Sequence, residues 1–209
     1  APINIPLDHL KDNEAIALAR KATMAITSYR SEDFEGLRKA GRLAAEVLDL
    51  MVEEVKPGVT TEQLDKICFD YVLDHGAFPA CYGYRGFRHT VCTSLNHVVC
   101  HGIPSEKILD KGDIINIDVT VILDGWYGDT SRMFIVGETT SVKAKKLIQI
   151  TYKSMMEGIK KIKPEINLGD LGYTIEKIAN DNNFSIVKDF CGHGVGREFH
   201  EPPSILHYG

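Results

Sequence analysis

The chain is 209 residues long, 44% hydrophobic and 25% charged, with a formal net charge of −5. That length suits one large domain with a substantial core, and the acidic balance leaves no electrostatic case for nucleic acid as a main partner. No apolar run approaches the length of a membrane span. The five cysteines, Cys68, Cys81, Cys92, Cys100 and Cys191, form an odd, scattered set with no C-x-x-C pair, so reduced thiols in the cytoplasm are expected rather than a disulfide framework.

Residues 1–31 read as an N-terminal extension: Asp8, Asp12 and Glu14 interrupt any continuous apolar stretch of the kind a signal peptide needs. A helical stripe follows at Leu37, Ala40, Ala44, Val47, Leu48, Met51 and Val55. After Lys56-Pro57, Thr60 and Gln63 are placed as a capping box for a second helix. Its buried side is Leu64, Ile67, Cys68 and Tyr71, and Gly76 is its stop. The pattern recurs at Ala144, Leu147, Ile148, Met155, Ile159 and Ile162. Lys163-Pro164 follows, then Asn167 as a cap and Leu171, Ile175 and Ile178 as a second stripe. The Lys-Pro pairs are 107 positions apart. Each half then runs through a strand-like segment to a histidine and a nearby proline, His101 with Pro104 and His200 with Pro202. Such self-similarity predicts one domain over 32–209 built of two related halves, about 32–138 and about 139–209, facing each other across a site. Lys143, Lys145, Lys146, Lys160 and Lys161 are spaced like solvated helix faces.

Between the helical pairs lies IINIDVTVILDGWYGDTSRMF. Ile114 to Ile122 alternates, Asp124-Gly125 signals a type I′ hairpin turn, and Trp126 to Ile135 returns as a second strand. With those two turn residues, position 120 faces 129 and 118 faces 131, so Asp118 and Asp129 share a face as diagonal neighbours roughly 7 to 8 Å apart. Aspartate is depleted in strands, and two carboxylates within about 4 Å repel by about 4 kcal/mol at an effective dielectric of 20, so the pair calls for a shared proton or a cation. The bland alternative is an exposed hairpin end with both aspartates solvated. His193, set among Gly192, Gly194 and Gly196, sits in a loop that can bring imidazole toward a metal. His101 and His200 read either as groups that support the ligands or as substrate-facing groups able to hydrogen-bond a carbonyl or an amide, against the bland alternative of a structural histidine beside proline.

Four motifs, VCHGIP, INIDVTV with DGWYGDTSRMF, CGHGVGR and FHEPPSILHYG, together resemble the bacterial-type (type I) methionine aminopeptidases, over about Asp33 to Gly209. The resemblance implies an α+β pita-bread fold and removal of the initiator methionine from Met-X termini of nascent chains, in the cytoplasm and as a monomer. It also implies two divalent ions, Co, Mn, Fe or Zn, that hold and activate the attacking hydroxide. By position, Asp118 and Asp129 look like metal ligands, Asp129 bridging, and His193 like the imidazole ligand. His101 looks like the contact to the scissile amide and His200 like the group stabilising the tetrahedral oxygen. Cys81, Tyr84, Phe87, Cys92 and Phe199 match the wall of the family's methionine pocket. The family's two remaining ligands, glutamates of a TxEP-like and an EHT-like segment, have no counterpart among these residues. The expectation is therefore a truncated form with an incomplete second half, weak metal binding and little activity of its own. Two alternatives stay open: a related prolidase-type hydrolase, and a non-catalytic module of the same fold that binds a nascent peptide or touches the ribosome.

Overall fold

The computed structural model describes residues 26–209, so most of the expected N-terminal extension lies outside the described residues. The first helix, α1 (Phe34–Glu54), buries Ala40, Leu43, Ala44, Val47, Leu48 and Met51, which is the predicted stripe with Leu43 added and Leu37 half-buried. Helix α2 (Thr61–Asp74) starts with the capping box read from the sequence: the Gln63 amide N–H donates to the Thr60 hydroxyl at 3.1 Å, and the Thr60 N–H donates to the Gln63 side chain at 2.9 Å. Together these two bonds satisfy two of the donors that a helix start otherwise leaves open.

A four-stranded antiparallel sheet packs against these helices. Its centre is β3 (Ile114–Leu123), bordered along one edge by β1 (Phe78–Pro79) and β2 (Val91–Leu95) and along the other by β4 (Trp126–Ile135). The hairpin has the expected register, with Asp118 opposite Ser131 and Thr120 opposite Asp129. Asp124 and Gly125 both take positive φ, 52° and 77°, as a type I′ turn requires. Alternation then splits the hairpin by chemistry. Ile115, Ile117, Val119 and Val121 are fully buried in one core with α1 and α2, while Asp118, Thr120, Tyr127, Asp129 and Ser131 share the opposite face. Gly128 lets helix and hairpin approach closely, because a Cβ there would overlap the Ala40 carbonyl.

The second region consists of α3 (Val142–Lys160), α4 (Leu168–Asp181) and a two-stranded ribbon of β5 (Gly192–Gly194) and β6 (Glu201–Ile205). Ser141 caps α3 and Asn167 caps α4, the latter as the sequence suggested. The expected stripe on α3 is corrected. Leu147, Met155, Ile159 and Ile162 are 40%, 46%, 51% and 62% exposed, and the helix instead buries its small residues Ser154 and Gly158. The partner it has is α4, on which α3 packs through Gly158, against Ile175 and Leu171.

Candidate metal centre

The aspartates of the hairpin meet the histidines of the ribbon. Asp129 projects from β4 and its Oδ2 lies 3.2 Å from Nε2 of His193 on β5, while the other nitrogen, Nδ1, is 2.8 Å from the Gly194 carbonyl. A backbone carbonyl at Nδ1 fixes a proton there and leaves Nε2 to face the carboxylates, which is the tautomer a metal-binding histidine needs. Asp118 on β3 completes the group. Burial first, then the charge of Asp129 and a hydrogen bond shared with it, push its carboxyl up to about 7. The bond to Asp129 raises His193 in turn. These are the signatures of negative charge packed into a poorly solvated place, stabilised by protons that a divalent cation can replace. Two carboxylates and one imidazole suit Mn, Fe, Co or Zn. Among the described residues no three His, Cys, Asp or Glu side chains are grouped so as to hold a metal ion together; Asp129 and His193 face each other as a pair.

Aromatic rings build the wall beside this trio. His200 lies 4.3 Å, centroid to centroid, from His193 and stacks on Phe199 at 4.2 Å with the planes 3° apart. Tyr84 packs on Phe199 at 5.1 Å, and its hydroxyl is 3.5 Å from His200 Nδ1. Burial and the nearby His193 charge lower the pKa of His200, which keeps its ring neutral. Cys81 and Cys92 stand where β1 and β2 meet along the edge of β3, with Cys92 opposite Asp118. The Cys81 thiol is hydrogen-bonded to Cys92; that bond, then burial, pushes it up. His101 takes a left-handed φ of 57° and packs edge-on against Phe190, three residues before His193. The Phe87 ring packs edge-on against His89, whose imidazole pairs with Asp65.

Several residues here were not singled out from the sequence. Tyr127 packs on Phe199 at 5.8 Å, and strand alternation alone places it on the face of Asp129. Arg197 and Tyr29 carry no periodic signal at all, and their role emerges only from contacts between distant segments.

The profile of Metallopeptidase family M24 matches residues 35–209. The chain belongs to the M24 metallopeptidases. Within that family, methionine aminopeptidase from Rickettsia prowazekii is 54% identical over 186 residues, covering 89% of this chain and 71% of the relative. The enzyme of the same name from Escherichia coli K12 is 52% identical over 187 residues, covering 88% and 70%. The crystal structure of the Rickettsia prowazekii enzyme superposes with a TM-score of 0.86, covering 88% of this chain and 74% of that one. The Thermotoga maritima methionine aminopeptidase, 35% identical, gives 0.85 with the same coverage. At 20% identity, a prolidase from Pyrococcus furiosus shares the fold, with a TM-score of 0.78. The M24 chain thus has the α+β pita-bread fold and is a divalent-metal-dependent peptidase. Among its described residues, no helix is long and apolar enough to cross a membrane.

Proposed function

We propose that this chain is a methionine aminopeptidase acting on peptides with a free N-terminal methionine, and that Asp118, Asp129 and His193 hold its divalent metal. The carrying observation is the convergence of hairpin aspartates and ribbon histidines beside an aromatic and thiol-lined wall, in a chain 54% identical to an enzyme of that name. Two ions are proposed, which Asp118, Asp129 and His193 would help to hold. Bound divalent ions supply Lewis acidity at the scissile carbonyl and lower the pKa of water.

The protein's own groups do the rest. Tyr84 and Phe199 offer flat apolar surface to the methionine side chain, and the thiols of Cys81 and Cys92 border the same space. Sulfur against an aromatic edge is a favourable contact for a thioether. His200, kept neutral by burial, donates an N–H toward the oxygen that gains charge as the carbonyl is attacked, where a preorganised donor in a dry site is most effective. His101 is assigned to the amide of the bond that breaks. We place the protein in the cytoplasm, as a monomer meeting nascent chains with at most transient ribosome contact; the five unpaired thiols support a reducing compartment.

The test is release of methionine from Met-Ala-Ser, with Mn or Co added. Cleavage of an X-Pro peptide instead would assign the prolidase-type reading, and peptide binding with no cleavage would assign the binding module.

A further inference from the structure

Tyr29 lies ahead of the segment that matches the family profile, in a stretch to which the sequence lent no role. Its hydroxyl donates to Glu201 Oε1 at 2.6 Å and accepts from the Arg197 backbone N–H at 3.0 Å, so both capacities of the group are used. The same Glu201 oxygen accepts the Glu198 N–H at 3.1 Å. The Tyr29 ring meets Trp126 edge-on at 5.3 Å, and the Arg197 guanidinium covers that indole at 3.8 Å. Arg197 also donates from Nη1 to the carbonyl of Asp124 at 3.0 Å, and the Tyr127 N–H donates to the carbonyl of Gly196 at 2.9 Å.

These contacts bind the connection between β5 and β6 to the tip and returning strand of the aspartate hairpin. The connection needs such support. A two-stranded ribbon is marginal by itself, and this one carries His193 at one end of the connection and His200 at the other. A small swing of residues 195–200 would separate the imidazoles from Asp129. Tyr29 touches both sides of the joint, Trp126 on the hairpin and Arg197 with Glu201 on the ribbon, through a charge-assisted bond of the strong kind.

We propose that Tyr29 is a positioning residue whose hydroxyl, through Glu201 and Arg197, locks the loop bearing His193 and His200 against the hairpin bearing Asp129. The proposal rests on the reading of those histidines as site groups. It enlarges the functional unit to include a residue of the N-terminal segment.

Tyr29→Phe tests it, since the ring stays on Trp126 and only the hydroxyl is lost. In the metal-free protein the imidazole NMR signals of His193 and His200 should shift and broaden, while methyl signals of the buried Val119 and Val121 stay put. The Kd for Mn should rise about tenfold, the scale on which outer partners of metal ligands act. Glu201→Gln keeps an oxygen for both donors and should restore wild-type imidazole signals, whereas Glu201→Ala should match Tyr29→Phe, with no further loss in the double variant. Unchanged histidine signals in Tyr29→Phe, or methyl shifts as large as the imidazole ones, would overturn the proposal. Imidazole spectra do not depend on turnover. If Met-Ala-Ser is not cleaved but the histidine signals move as stated, the latch stands and the aminopeptidase reading falls.

Discussion

Helices α1 and α3 begin from the same kind of apolar stripe and end in opposite environments. Ala40, Ala44, Val47, Leu48 and Met51 of α1 are buried because Ile115, Ile117, Val119 and Val121 of the sheet stand opposite them. On α3, Leu147, Met155 and Ile159 remain half-exposed. A helical period therefore declares which face is apolar, and a partner surface decides what that face contributes. The proposed metal centre spans the same divide, with its carboxylates on the well-packed region and its imidazole on the thinly supported one.

The largest expected effect falls on that shared centre. Asp129→Ala should lower methionine release by at least about 100-fold, the upper end of what loss of even an outer partner costs. Activity near wild type would remove the hairpin from the chemistry. The contrast between the helices is tested by truncation in urea unfolding. Ile117→Ala should cost about 2 to 5 kcal/mol, and Ile159→Ala no more than about 0.5 kcal/mol; equal losses would mean that α3 is covered in solution. A smaller effect follows at the N-terminus of α2, where Thr60→Ala should cost about 1 kcal/mol by opening the capping box.

Acidity acts on the centre with a definite sign. Asp118 titrates near 7 in the folded protein against 3.8 for an ordinary aspartate, so between those values the folded state binds more protons than the unfolded state. Stability of the metal-free protein should therefore fall as pH rises across that window. His193, also raised, contributes stability that is present below the ordinary histidine value and lost as pH rises through its own. Asp118→Asn should flatten the slope in thermal melts. Metal affinity should run the other way, increasing as pH rises through about 7, because the cation displaces the Asp118 proton; calorimetry on either side of neutrality checks it.

What the sequence revealed was mostly local. The hairpin register was readable because Asp124-Gly125 admits a positive φ at both positions, and the capping box because Thr60 and Gln63 lie three apart. The shared face of Asp118 and Asp129 followed from period-two alternation, and the same rule would have found Tyr127. The exposed stripe of α3 was not readable, since burial depends on what packs opposite. Nor was the edge-on packing of Phe87 against His89. Tyr29 and Glu201 are 172 positions apart, and no spacing rule joins them.

Behind the acidic pair, the hydrogen atom that serves as Gly128's side chain acts as a spacer of fixed thickness. It lets the α1 backbone rest directly on the strand one residue before Asp129, so the position of the proposed ligand is gauged from the rear, by a helix that lies on the other face of the hairpin. A single methyl added there would act as a shim, lifting the returning strand and tilting its acid away from His193, with every donor still present and none in reach.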